Sequence, residues 1–221
     1  MLRSKRILEQ DGFVWFRRAL SEGQIGDLES ELGFGHRPGY RPAATSSLLS
    51  KLGPDSPVGR LASSLLPNAN PVRLVAFNKS PEANWSVPWH QDRVVAVRKR
   101  ARVDGYSGWS RRDAVWHVEP PLPLLEGMIF ARVHFDRSDE RNGAMELAAG
   151  SHKEGRVSQD TASETAKRHR SVLCEAERGD IVFIKALTLH RSVSSESNAN
   201  RRVLRIDFAN EKLPNPLEWG F

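Results

Sequence analysis

Apolar positions in the first seventy residues recur with helical spacing. In SEGQIGDLESEL (21–32), Ile25, Leu28 and Leu32 fall on one face of a helix, and Ser21 with Gln24 makes a capping box. DSPVGRLASSLL predicts a second helix, with Ser56 as its cap and Pro57 at the first position, where a fixed φ suits the geometry. From Val72 the pattern changes to short runs rich in β-branched and aromatic residues: VRLVAFN, DRVVAV, MIFARVHF, AMEL, SVLCEA, DIVFIKA and RVLRIDFA. Pro, Gly, Asn and Asp separate them, so they predict strands. Such a series without long intervening helices indicates an antiparallel sandwich or barrel, and a jelly roll would close two sheets over an internal cavity. Residues 98–120 and 150–170 exceed ordinary connections, which predicts lids or binding segments, the second with a short helix near 162–168.

A chain of 221 residues can bury a full core as one domain, and its 13 prolines and 16 glycines are scattered without a tract or linker. We therefore expect a single domain over 1–221, helical to about 70 and β-rich over 71–210. The lone Cys174 excludes an internal disulfide framework and a four-cysteine zinc site. MLRSKRILEQDGFVWF places an acid and a glutamine where a secretory signal needs an apolar centre, and no apolar run approaches membrane-spanning length. A soluble cytoplasmic protein is the expectation, with no membrane partner. The net charge of +6 and sequence pI near 9.8 favour acidic partners: nucleic acid, a membrane surface or an anionic small molecule. The densest charge, RKRARVDGYSGWSRR (98–112), lacks the regular aromatic and glycine pattern of an RNA-binding sheet, which makes nucleic acid the less favoured partner.

Candidate chemistry centres on PWHQD (88–92). Residues two apart on a strand share a side, so His90 and Asp92 project together while Gln91 faces away. A pair alone is weak, and the third partner is sought among the remaining histidines. His190 stands out because Gly179 and Asp180 make a turn, a strand follows, and the histidine emerges at its far end. Arg201 begins the next strand, RRVLRIDFA, and a buried cation there would be costly unless an anion met it. Two histidines and one carboxylate with open positions suit non-haem ferrous iron that must bind a cosubstrate and dioxygen together. The arginine would then hold the far end of a dicarboxylate.

FNKSPEANWSVPWHQD, HVEPP, NGAMELAAGSH and TLHRS followed by RRVLRIDFA, in that order over about residues 5–215, resemble the bacterial phytanoyl-CoA dioxygenase-type proteins. These are Fe(II)- and 2-oxoglutarate-dependent oxygenases. The resemblance implies a double-stranded β-helix (jelly roll, cupin-like) that is mainly β with flanking helices, with Fe(II) on His90, Asp92 and His190. It also implies 2-oxoglutarate as cosubstrate, with its distal carboxylate on Arg201 in a bidentate fork. Arg202, one position off, faces the opposite side, whereas Arg205 shares the face of Arg201 and is its alternative. Arg132 and His134 face inward, Arg132 at a place that lies beside 2-oxoglutarate in the family. His117 is a candidate pocket residue or a loop histidine bonded to backbone. Trp89, Trp109 and Trp116 read as packing or as walls of a substrate chamber. Asn78 and Lys79 read as scaffold, His152 as part of a structural turn, and His36 and His169 as merely exposed.

The expected reaction is hydroxylation of an aliphatic C–H in a small metabolite. Halogenating relatives replace the carboxylate ligand with a small residue, so Asp92 argues against chlorination. Two other readings stand beside this one. A non-catalytic basic jelly-roll module would bind an acidic ligand or nucleic acid. A zinc hydrolase would use the same three ligands and leave Arg201 without a task.

Overall fold

The capping signals of the first seventy residues act as read. In the computed structural model, which describes residues 2–35, 37–112 and 114–221, the chain opens with α1 (Leu2–Asp11), β1 (Phe13–Phe16) and α2 (Glu22–Leu32). The short strand β2 (Gly39–Tyr40) and helices α3 (Ser46–Leu52) and α4 (Pro57–Leu65) follow. Both halves of the α2 capping box are made, and Ile25, Leu28 and Leu32 are buried as their period demands. Ser56 Oγ accepts from the Gly59 amide at 2.9 Å, with Pro57 in the first turn of α4. Neither α1 nor β1 is visible in the apolar pattern, because α1 buries only Leu8 and β1 is a four-residue strand.

Beyond residue 69 the β-branched runs become β3 (Asn70–Lys79), β4 (Val87–His90), β5 (Val95–Val97), β6 (Ser107–Arg112) and β7 (Val115–Glu119). After α5 (Leu122–Gly127) come β8 (Ile129–His134), β9 (Met145–Ala148), α6 (Ala162–Lys167), β10 (Ser171–Leu173), β11 (Ile181–Lys185), β12 (His190–Ser192) and β13 (Arg201–Ala209). Among the described residues these strands form antiparallel sheets in the orders β1-β11-β8-β13-β3-β2, β10-β9-β12-β4 and β5-β7-β6. The first two make a double-stranded β-helix, with Phe130, Met145, Leu147, Val182 and Ile184 packed together in its interior. Alternate residues, Ala131, Val133, Leu204, Ile206 and Phe208, pack against α2 to α4 instead. Each fully buried side chain of this size contributes about 1.5–3 kcal/mol. The sheet is thereby clamped from both sides.

Three expectations change. Residues 98–120 are not simply a long connection, because β6 and β7 form a hairpin that extends β5. Arginines mask its period, yet Trp109 and Trp116 pack edge to face at 6.3 Å in a cluster with Val95 and Val97, so these tryptophans are packing. Next, the strand expected to carry both His90 and Asp92 ends at His90. Third, His190 does not end the strand that follows Gly179: β11 stops at Lys185 and His190 opens β12 in the other sheet. The cause is local. Gly12 O accepts the Lys185 amide at 2.8 Å and Thr188 Oγ1 at 3.0 Å, which stops the ladder and sends the chain across. The helix expected near 162–168 is α6.

Candidate active site

Strands β4 and β12 pair so that His190 lies directly opposite His90, with ring centroids 4.2 Å apart. Each Nδ1 is tied to the carbonyl two residues back, His90 to Pro88 O at 2.8 Å and His190 to Thr188 O at 2.9 Å. With Nδ1–H donating, His90 Nε2 keeps its lone pair for another partner, while His190 Nε2 is turned to Asp92. Asp92 reaches the same point although it lies past the strand end, and its Oδ2 is 3.1 Å from His190 Nε2. Gln91 sets that turn: its Nε2 donates to Gly155 O at 2.7 Å and Leu187 O at 2.8 Å, and its Oε1 accepts from the Val157 amide at 2.8 Å. The candidate ligand atoms of His90, Asp92 and His190 all lie within 4.8 Å of one another.

Electrostatics prepares these groups for a cation. Burial pushes His90 down to about 4, and the charge of His190 adds to it, so the ring is a neutral donor at physiological pH. Burial alone would raise Asp92, but the Arg205 guanidinium and the His190 hydrogen bond hold it well below the usual carboxylate range. Arg205 contacts Asp92 Oδ2 through Nη1, reaches Asp207 Oδ1 through Nε at 2.6 Å, and lies 4.1 Å over the Phe130 ring. Asp207 in turn faces Arg73, Oδ2 to Nε at 3.1 Å. Burial opposes the Arg205 charge, yet Asp207 and Asp92 raise its pKa above the ordinary value.

Arg201 and Arg132 differ from Arg205 in having no carboxylate partner among the described residues. Among the described residues neither makes an ion pair, although both are at least nine-tenths buried. Arg201 Nε donates to Asn142 O at 3.2 Å, and burial lowers its pKa to about 10. Arg132 Nε has no hydrogen-bond partner, and burial, with Arg201 beside it, lowers its pKa to about 9. Lys79, opposite Arg201 in the β3–β13 ladder, is fully buried, and its Nζ donates to Val193 O at 2.6 Å. Burial, then Arg201 and Arg132, lower it to about 8. An unpaired buried charge costs several kcal/mol, so these cations call for an anion.

A cavity of about 230 Å³ is lined by His90, Asp92, His190, Arg132, Arg201 and Arg205, with Val75, Phe77, Val87 and Met145 as apolar walls. Six of the seven site residues read from the sequence therefore border one space. The seventh, His117, is buried but does not line it; Nδ1 is 3.1 Å from Val115 O and Nε2 has no partner. Burial, then Arg73 and Arg41, push His117 down to about 4. Arg202 faces away, as its parity requires, and pairs with Asp136 and Glu29. Sequence reasoning missed Lys79, Arg73 and Asp207 as neighbours of the site. For Arg73 and Asp207 the signal was there in strand parity, which puts 73, 75 and 77 on one face of β3 and 201, 205 and 207 on the same face of β13.

The other candidates are structural. Trp89 packs on Ala148, Ala162, Ala166 and Leu189. His152 Nε2 is 3.2 Å from Glu9 O, His169 bridges Ala149 O and Glu154, and burial raises Cys174 to about 12, which keeps it a thiol. His36 lies outside the described residues. No helix among the described residues is long and apolar enough to cross a membrane.

Comparison with known proteins agrees with this arrangement. The family model described as Phytanoyl-CoA dioxygenase (PhyH) matches residues 8–203. The chain belongs to that family of iron- and 2-oxoglutarate-dependent oxygenases. A search of curated proteins finds no match. Among solved structures, EctD from S. alaskensis in its apoform is 15% identical, with a TM-score of 0.72 over 98% of this chain and 80% of that one. The non-heme alpha ketoglutarate dependent epimerase SnoN from nogalamycin biosynthesis is 14% identical, with a TM-score of 0.66 over 96% of this chain and 83% of its own. The carbocyclase SnoK from the same biosynthesis is 16% identical, with a TM-score of 0.66 over 94% and 83%. At these identities the likeness shows the fold. SnoN has been solved with Fe3+ and alpha ketoglutarate, and EctD with 2-oxoglutarate and 5-hydroxyectoine.

Proposed function

We propose that this protein is an Fe(II)- and 2-oxoglutarate-dependent oxygenase that hydroxylates an aliphatic C–H bond of a small metabolite. One observation carries the reading: two imidazoles and a carboxylate whose candidate ligand atoms converge, and a buried guanidinium with no ion pair among the described residues, border a single cavity. His90, Asp92 and His190 would hold the ion, and Arg201, with Arg132 beside it, would pair with the remote carboxylate of 2-oxoglutarate. When bound, ferrous iron and the cosubstrate supply the oxidation of an unactivated C–H bond by dioxygen, with succinate and carbon dioxide released.

The chain supplies positioning. The Pro88 and Thr188 carbonyls fix the tautomer and plane of each imidazole. Arg205, braced by Asp207, keeps Asp92 anionic and holds its carboxylate in place. Retention of that carboxylate supports hydroxylation over halogenation. A non-catalytic basic module would leave the converging ligands and the orphan guanidinium without a task.

The test uses protein purified without oxygen, loaded with ferrous iron and 2-oxoglutarate, then exposed to dioxygen. Wild type should release succinate, and Asp92→Ala and His190→Ala should fall to background. Turnover unchanged in either variant refutes the assignment. With a substrate in hand, product mass separates hydroxylation, which adds one oxygen, from cyclisation, which removes hydrogen, and from epimerisation, which leaves mass unchanged.

A further inference from the structure

The cavity over His90, Asp92 and His190 carries more positive charge than an iron ion and 2-oxoglutarate can use. Along β3 and β13 the inward residues pair in register: Lys79 opposite Arg201, Val75 opposite Arg205, Arg73 opposite Asp207. Arg73 and Lys79 therefore stand about 20 Å apart, at roughly 3.3 Å per residue, with Arg205 and Asp92 between them. Lys79, Arg132 and Arg201 form one cationic end, and the cosubstrate's remote carboxylate accounts for it.

Nothing in that account uses the other end. Arg73, Arg41 and Arg112 line the cavity there, and all three depress the titration of His117. Asp207 faces two buried guanidiniums, Arg73 at 3.1 Å and Arg205 at 2.6 Å. With Asp92 shared between Arg205 and a metal ion, Asp207 carries most of the balance for both guanidiniums among the described residues. Arg112 is exposed and makes no ion pair among the described residues. Arg41 and Arg73 also border an adjoining cavity of about 230 Å³ with Ala44, Leu74, Ala96 and Phe221 among its walls. The acid-bearing end of a ligand has room there beyond its anion, against apolar surface.

We propose that the primary substrate is itself an anion, a carboxylic acid or phosphate ester on an apolar body, whose acid group binds Arg73, Arg41 and Arg112 while its reacting carbon lies over the triad. This rests on the oxygenase reading, with 2-oxoglutarate at the Arg201 end. Guanidinium forks favour both acids.

The two readings separate in one calorimetric series, run without oxygen in phosphate-free buffer with ferrous iron present. 2-Oxoglutarate is titrated first. Hexanoate, hexyl phosphate and the neutral hexanamide are then titrated into protein saturated with 2-oxoglutarate. Either acid should bind at least about tenfold tighter than hexanamide, and the better of the two names the acid class. Arg112→Ala and Arg41→Ala should each weaken that acid by about tenfold or more, whereas Arg201→Met should weaken 2-oxoglutarate instead. Failure of 2-oxoglutarate to bind wild type removes the oxygenase reading, and this proposal with it. With 2-oxoglutarate bound, acids that bind no better than hexanamide, or that bind both arginine variants as they bind wild type, overturn the anionic substrate alone.

Discussion

Replacing Arg201 with methionine should stabilise the protein without its cosubstrate and leave it almost blind to 2-oxoglutarate. The guanidinium is 4% exposed, and its hydrogen bond to Asn142 O at 3.2 Å is at the long end of the normal range. A pKa lowered by burial to about 10 corresponds to roughly 3 kcal/mol spent on keeping the charge indoors, at about 1.4 kcal/mol per tenfold. Loss of the Asn142 contact returns about 1–1.5 kcal/mol. The net gain is then about 1–2 kcal/mol, in keeping with apolar replacement of buried charges elsewhere. For a chain of this size that raises Tm by about 2–8 °C. The ligand works in the opposite direction. At a concentration one hundred times Kd, 2-oxoglutarate stabilises the wild type by about 2.7 kcal/mol, and a hundredfold weaker variant at that concentration keeps only about 0.4 kcal/mol. Thermal unfolding of both proteins, with and without 2-oxoglutarate in the presence of ferrous iron, reads both effects in one plate. A variant less stable than wild type in the absence of ligand would show that the guanidinium is structural. An undiminished ligand-induced shift would show that the dicarboxylate anchors elsewhere.

Two further outcomes follow from the same electrostatics. His90 and His117 are both pushed to about 4 by burial, below the ordinary value near 6.5. Between those pH values the unfolded chain binds protons that the folded one refuses, so stability falls as pH drops from about 6.5 to 4, by up to about 1.4 kcal/mol per pH unit for each ring. Urea titrations across that window should show the fall, and His117→Gln should reduce the slope by about half; a flat profile for wild type contradicts both assignments. Lys79, lowered to about 8, loses its charge as pH rises through that value. Affinity for 2-oxoglutarate should weaken above about pH 8 in wild type, and Lys79→Met should move the onset of this dependence to higher pH while weakening binding at pH 7; an unchanged pH profile in the variant would remove Lys79 from the anion end.

Much of the architecture could be read from local signals, because caps and strand parity act over a few residues. Ser21 with Gln24 and Ser56 with Pro57 mark helix starts whose hydrogen bonds are all made. RRVLRIDFA fixes which arginines share a face, and the structure sorts Arg201 and Arg205 from Arg202 accordingly. What escaped reading depends on distant partners. Strand β1 exists because β11 offers an edge, and the break between Lys185 and His190 comes from Gly12, far away in sequence. The β6–β7 hairpin hid behind arginines that mimic a solvated loop. At the site, the triad was legible because ligand chemistry restricts residue type. The burial of Lys79 was not, since a lysine at a strand end is ordinarily exposed.

Strand β13 lies between β8 and β3, in the middle of the large sheet, and every other strand of both main sheets precedes it in the chain. During synthesis, β3 with β2 and β8 with β11 have no hydrogen-bonded bridge to each other until that last ribbon emerges. Arg201 and Arg205 arrive on it. A nascent chain therefore carries the three candidate metal ligands before Arg201 and Arg205 arrive beside them, and the pocket is completed in one late closing step.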